Sequence, residues 1–278
     1  MIQQHKPIHY QIFGEDSSPK LVFLHGIMGQ GRNWMSIAKR FSRSYQCLIY
    51  DQRGHGKSFH PEKGFELDDY VHDLSALLKE LGWVGAVHLV GHSMGGRVAL
   101  KFAHLYPDQV RQLVIVDIGP TSDWNSMSSI LEKLDFVPTP FADRATARQF
   151  MESQFLEKYQ NPMLMEFFYS NLVEKESGYD WIFSVELIRQ TLTLARYHDY
   201  WDLFKELKMP TLLLRGEKST DLKKDDFLAV VANNSQIQGR EVIGAGHWVM
   251  RRSREKLSIS LRIFSTLPGP PSNDRTGK

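Results

Sequence analysis

A serine in the run Gly91-His92-Ser93-Met94-Gly95 carries the strongest chemical signal in this chain. The apolar segment Val87 to Val90 drives straight into it, and a segment of helical spacing, Arg97 to Leu105, follows at once. A side chain presented at a sharp strand-to-helix turn takes a strained backbone. The neighbours two before and two after must then lack side chains, or strand and helix could not approach so closely. Gly91 and Gly95 meet that demand, and Gly96 relaxes it further. The five-residue pattern alone is weak; its place on a strand–turn–helix boundary gives it weight.

A serine hydroxyl is a poor nucleophile at neutral pH. Ser93 would need a base, a group that orients the base, and donors for an oxyanion. Gly244-Ala245-Gly246-His247-Trp248 places a histidine in a flexible loop after the last strand-like run. Of the 11 histidines His247 has the best position, at the C-terminal edge of a sheet where active-site loops collect. His92 is expected to point away from the nucleophile, while His25 and His55, in glycine-rich turns, read as scaffold hydrogen-bonders. The oxyanion donors should be backbone N–H groups, because they are fixed. Met94 supplies one at the positive end of the following helix. Ile27, within Leu24-His25-Gly26-Ile27-Met28-Gly29, supplies the other. That loop lacks the Gly-Lys-Ser/Thr ending of a phosphate loop.

The elements that must position these groups follow from hydrophobic periodicity. Strand-like runs at Ile8–Phe13, Leu21–Leu24, Cys47–Tyr50, Val87–Val90 and Leu113–Val116 alternate with helical spacing at Asn33–Phe41, Asp68–Leu81 and Met94–Leu105. This alternation predicts an α/β fold, a mostly parallel sheet with helices on both faces. From Ile118 to Leu207 strand-like runs vanish and aromatic-rich helical sequence takes over, which predicts a helical insertion rather than a loop. Sheet character resumes at Thr211–Leu214 and Glu241–Ile243, and a closing helix is expected over Arg254–Phe264. The expected organisation is a core of residues 1–117 and 208–266, a cap of 118–207, and a Pro/Gly-rich disordered tail of 267–278.

Composition excludes several classes. A net charge of +2 with mixed signs points to neither nucleic acid nor a membrane as partner. The densest basic cluster, Arg251, Arg252 and Arg254, reads as a solvated face. No signal-peptide-like or 18-residue apolar run is present, so a cytoplasmic protein is expected. The single cysteine, Cys47, reads as an inert buried thiol. No His/Cys/Asp cluster has metal-ligand spacing. Nothing sets the oligomeric state.

Taken together, His25-Gly26, Asp51 to Ser58, the turn at Ser93, Asp117-Ile118-Gly119-Pro120 and Gly244 to Trp248 resemble the α/β-hydrolase superfamily over residues 8 to 265. The closest likeness is to its small intracellular serine esterases, which act on acyl esters and thioesters. The resemblance implies a doubly wound eight-stranded sheet with a cap inserted after strand six, chain order Ser…Asp…His, and no cofactor. It places the triad acid after strand seven in a Gly-x-x-Asp pattern, but Gly216-Glu217-Lys218-Ser219 puts a serine there. The family's other position, the end of strand six, holds Asp117, 24 residues after Ser93. One helix and one strand carry the chain that far to an adjacent strand end. Asp221 is the alternative acid; otherwise it would cap a helix over Leu222–Val231, with Glu217 hydrogen-bonding within its loop. Asp51 and Arg53 read as scaffold, and the Asp68-Asp69 and Asp225-Asp226 pairs as helix-terminal charges.

With serine as nucleophile the implied chemistry is acyl transfer. Dehalogenases and epoxide hydrolases of this fold carry aspartate instead. Preferred substrates are expected to be short- to medium-chain or aryl esters or thioesters, with cap aromatics either lining the pocket or forming cap core. The rivals on this scaffold are a cofactor-free haloperoxidase or perhydrolase, a carbon–carbon bond hydrolase, and a menaquinone-pathway lyase. The lyase would use cations such as Arg97 and Arg53. A non-enzymatic receptor or scaffold is the remaining alternative.

Overall fold

Short apolar runs build the sheet. β1 (Tyr10–Phe13), β2 (Lys20–Leu24), β3 (Gln46–Tyr50), β4 (Val87–His92) and β5 (Val110–Val116) form in order. Between them lie α1 (Met35–Phe41), α2 (Leu67–Glu80) and α3 (Met94–Leu105). The computed structural model describes residues 7–249 apart from 123 and 196. The expected closing helix over 254–264, the basic cluster at 251–254 and the tail from 267 lie outside the described residues.

After β5 the chain leaves the sheet for an insertion. It holds α4 (Trp124–Phe136), α5 (Arg144–Phe150), a π-helical turn leading into α6 (Leu156–Tyr159), and α7 (Pro162–Tyr169). An antiparallel hairpin of β6 (Leu172–Lys175) and β7 (Gly178–Trp181) follows, then α8 (Val185–Ala195) and α9 (Trp201–Lys205). The chain rejoins the sheet as β8 (Thr211–Gly216), α10 (Lys224–Asn233) and β9 (Ile237–Val242).

The sheet order is β1-β3-β2-β4-β5-β8-β9, parallel except for β1, which pairs antiparallel with β3. Leu24, Leu48, Leu89 and Ile115 face one way, toward Leu74, Val98 and Phe102 of α2 and α3. Phe23, Ile49, Val90 and Val114 face the other, toward Trp34, Ile37 and Phe41. Burial on both faces explains why these strands read as near-continuous apolar runs. The chain winds outward from β2 in both directions, so the loops after β2 and β4 flank a topological switch point, where such sheets bind ligands.

Three details differ from expectation. The central sheet has seven strands among the described residues, not eight; the sequence itself supplies seven runs, and the eighth came with the resemblance. The insertion is not wholly helical: β6 and β7 are four residues each and carry Glu174, Lys175 and Asp180, so they show no apolar run. β9 begins at Ile237 rather than 241, because its exposed Gln238 and half-buried Gly239, Arg240 and Glu241 mask the strand. α9, the last helix of the insertion, packs on α3 and α10.

The turn at the end of β4 depends on close backbone contact. A Cβ on Gly95 would stand 2.5 Å from the His25 carbonyl oxygen and 2.6 Å from that of Leu24, both backbone atoms with little room to give. Gly95→Ala is therefore expected to lower stability by about 1–3 kcal/mol in urea unfolding. Gly85→Ala, whose added Cβ would meet nothing within 4 Å, should stay within about 0.5 kcal/mol of the parent.

Candidate active site

Backbone hydrogen bonds that extend the parallel ladder set the site's spacing. The Ser93 N–H donates to the Val116 carbonyl at 3.0 Å, and the Asp117 N–H donates to the Leu214 carbonyl at 2.8 Å. The first residues past β4 and β5 are thus pinned side by side on one sheet edge. Both have left-handed backbone, φ 53° at Ser93 and 57° at Asp117. Non-glycine residues hold such angles only where the surroundings over-determine them. At Ser93 the constraint is visible: a Cβ on Gly91 would fall 2.3 Å from the Gly95 carbonyl oxygen.

His247 arrives from the loop after β9. Its Nδ1 lies 2.8 Å from Asp117 Oδ2. Asp117 is fully buried, and it accepts the Gly216 N–H at Oδ1 (2.7 Å) and the Ser219 hydroxyl at Oδ2 (2.5 Å). Ser219, at the position where a Gly-x-x-Asp pattern would put a carboxylate, is thus a donor to the carboxylate that stands one strand away. Asp221 also approaches the ring, with Oδ2 3.5 Å from Nδ1, and its Oδ1 accepts the Ser126 hydroxyl from α4 at 2.7 Å. It does not cap α10, which starts at Lys224 without a side-chain cap. Glu217 reaches beyond its own loop and accepts the Gly244 N–H at 2.7 Å.

Burial pulls the His247 imidazole down, but the Asp117 hydrogen bond and the charges of Asp221 and Asp117 outweigh it against the opposing Arg97. The ring is left above its ordinary value. Among the described residues no hydrogen bond joins Ser93 Oγ to the His247 ring. Such contacts commonly tighten only when substrate docks. Both side chains line one cavity of ≈ 260 Å³, together with Asp117, Ile27 and Met94.

The remaining histidines frame the site. His92 is turned so that its Nε2 donates to the His247 carbonyl oxygen at 2.9 Å, which fastens the loop that carries His247. The Gln52 N–H donates to His25 Nε2 at 3.0 Å, and the Met28 N–H donates to His55 Nε2 at 3.1 Å. Burial pushes these imidazoles down, to about 4 for His25 and about 3 for His55 and His92, so all three are neutral. In the Gly26–Gly29 loop the N–H groups of Met28 and Gly29 are taken by His55 and by the Gly26 carbonyl. Among the described residues the N–H groups of Ile27 and Met94 donate to no protein acceptor, which leaves them able to receive an oxyanion.

Asp51 and Arg53 brace the scaffold. Asp51 accepts the Gly31 and Lys57 N–H groups, and Arg53 forms a forked pair with Asp73. Cys47 is buried, its thiol pushed up to about 12. The ligand atoms of Asp117, Asp221 and His247 lie within 4.8 Å of one another, a grouping that sequence spacing could not show. It does not suit a metal ion, because N–H and O–H donors already occupy both Asp117 oxygens.

The cavity wall is mainly aliphatic, from Ile118, Met127, Ile130, Leu164, Leu192 and Leu194. Of the aromatics the sequence places in the insertion, Phe168 and Tyr200 line it. Others pack on one another, as in Phe136–Phe150 (5.6 Å between centroids) and the stacked Trp181–Phe183 (5.1 Å). Trp248 packs on Phe167 at 4.3 Å and ties the His247 loop to α7.

Comparison with known proteins bears on the fold. A family model described as alpha/beta hydrolase fold matches residues 19–250. The chain is 33% identical over 246 residues to a Danio rerio protein named sn-1-specific diacylglycerol lipase ABHD11, covering 86% of this chain and 76% of the relative. It is 28% identical to 2-(acetamidomethylene)succinate hydrolase of Mesorhizobium japonicum, covering 86% and 85%. Among solved structures, a marine microorganism esterase superposes with a TM-score of 0.80 at 27% identity, covering 93% of this chain and 99% of that one.

If Asp117 is what holds the imidazole above its ordinary value, Asp117→Asn should lower the His247 titration midpoint, since burial would then be opposed mainly by Asp221. An NMR titration of the ring protons checks this; an unmoved midpoint would assign the effect elsewhere.

Proposed function

The chain belongs to the alpha/beta hydrolase fold family and is an enzyme of the carboxylic ester hydrolase type. On that premise we propose that it is a serine hydrolase that cleaves short- to medium-chain acyl esters or thioesters through an acyl-enzyme on Ser93. The observation that carries the reading is the buried Asp117–His247 hydrogen bond, set beside a serine at positive φ in one cavity.

In this reading Asp117 holds the His247 Nδ1–H, which leaves Nε2 free to act as base. Nε2 takes the Ser93 hydroxyl proton as Oγ bonds to the carbonyl carbon. The developing oxyanion is met by the N–H groups of Ile27 and Met94, already oriented and needing no reorganisation. His247 returns the proton to the departing alcohol or thiol. Water, deprotonated by the same ring, then releases the acid.

The wall supports an alkyl rather than an aryl acyl group, because its apolar surface comes mostly from Ile, Leu and Met side chains. The cavity, at ≈ 260 Å³, lies just below the ~300–1,000 Å³ typical of pockets for drug-sized ligands, which favours a compact acyl chain. Relatives named lipase and esterase favour ester cleavage over perhydrolysis or carbon–carbon cleavage. A single, buried cysteine suits a cytoplasmic location. Among the described residues no helix is long and apolar enough to cross a membrane.

A fluorophosphonate probe should label Ser93 stoichiometrically, and Ser93→Ala should lose both labelling and turnover. Asp117→Asn should lose about 10³- to 10⁴-fold in kcat with its circular dichroism unchanged. Across p-nitrophenyl esters the optimum is expected at about four to eight acyl carbons; an optimum at palmitate would overturn the substrate assignment.

A further inference from the structure

Asp221 lies outside the hydrogen bond that joins Asp117 to His247, yet its carboxylate stands against the same ring. Nδ1 carries one proton, and Asp117 at 2.8 Å is its nearer acceptor. Asp221 Oδ2, at 3.5 Å, can therefore act on the ring only through its charge. Three contacts fix the direction of that charge. Oδ1 accepts the Ser126 hydroxyl at 2.7 Å, the Asp221 N–H donates to Ser219 Oγ at 3.2 Å, and Ser219 in turn donates to Asp117.

Ser126 belongs to α4, the first helix of the insertion. Ser126, Ser129, Ile130 and Lys133 share the helical face that looks into the cavity. The Ser126–Asp221 bond thus joins the insertion directly to a residue that faces the base. Asp221 is partly exposed, with 27% of its side chain accessible, so without Ser126 its carboxylate has water to turn to.

We propose that Asp221 is a positioning residue through which the seating of the insertion over the cavity is transmitted to His247, with Ser126 as the link. The proposal rests on His247 being the general base. With α4 seated, Ser126 holds Oδ1 and aims Oδ2 at the imidazole. When α4 lifts, the link breaks and the carboxylate relaxes toward solvent. The base is then strongest while the cavity is covered.

The groups facing His247 set the sign. Asp117 at the end of β5 and Asp221 in the β8–α10 loop favour the imidazolium, and Arg97 on α3 disfavours it. His92 at the end of β4, with its ring centroid 4.8 Å away, is kept neutral by burial. Glu66, Lys133 and His198 lie on the same cavity wall, and His198 pairs with Glu66 at 3.4 Å. A base of this kind works only when neutral, so activity falls on the acid side of its midpoint. Removing the Asp221 charge must move that acid limb to lower pH and weaken the base on the plateau.

The test compares Asp221→Asn, Ser126→Ala and the double variant by pH profiles of kcat and kcat/KM on a p-nitrophenyl ester, and by NMR titration of His247. Asp221→Asn should shift the acid limb to lower pH and cut plateau kcat about two- to fivefold. Ser126→Ala should shift it the same way by less and add nothing in the Asp221→Asn background. Ser126→Thr, which keeps the hydroxyl, should restore the parental limb. An Asp221→Asn limb at the parental position, or additive effects of the two substitutions, would overturn the proposal. Failure of the underlying reading shows differently: the parent would not be labelled at Ser93.

Discussion

The hydrogen bond between Asp117 and His247 is the constraint on which the site depends. It joins residues 130 positions apart, one fixed to the end of β5 and the other carried by a glycine-rich loop after β9. Without it the imidazole would keep only the more distant Asp221 carboxylate and ring contacts with His92 and Trp248. The carboxylate is held in place by contacts other than the one to His247. Its backbone is pinned to β8, one oxygen is saturated by the Gly216 N–H, and the other is shared with the Ser219 hydroxyl. A fully buried carboxylate is costly unless it is hydrogen-bonded, and this one receives donors at both oxygens.

The insertion acts at two distances from that bond. Nearby, Trp248 lies against Phe167, and Ser126 reaches Asp221, so the loops around the base touch the covering helices directly. Farther out, aromatic side chains pair with one another and give the insertion a core of its own. The smaller, more pliable Ile, Leu and Met side chains are left to shape the cavity. In the function proposed above, this division accommodates a flexible alkyl chain, since aliphatic groups pack against it without demanding a fixed ring geometry.

Ser93, Gly91 and Gly95 were legible in the sequence because their signal is local, a strand period running into glycines that a tight turn demands. The parallel sheet was legible for a similar reason, buried strands being written as plain apolar runs. Asp117 was pointed to by the resemblance, as the second position such folds use for the acid, and counting one helix and one strand from Ser93 supported a strand end beside it. Ser219 as a donor to Asp117, and Ser126 as a partner of Asp221, could not be read. Each contact joins residues about 100 positions apart, and a serine in a loop has no pattern that announces its partner. Asp221 looked like a helix cap because helices often begin just after an aspartate, but α10 starts three residues later. The hairpin β6–β7 hid because its strands are short and charged. Aromatic richness in the insertion said that something large was packed there, but not whether it faced substrate or itself.

The uncharged imidazoles packed behind the site have a consequence for the whole fold. His25, His55 and His92 hold their partners as neutral rings, with burial pushing them to about 4, about 3 and about 3 against an ordinary 6.5. An unfolded chain takes up those protons as the medium drops below about 6.5, whereas the native state resists until far stronger acid. Over that interval every unit of acidification tilts the balance toward the denatured ensemble. The loops that frame Ser93 thereby lose stability as the pH falls from about 6.5 through the folded values of these rings.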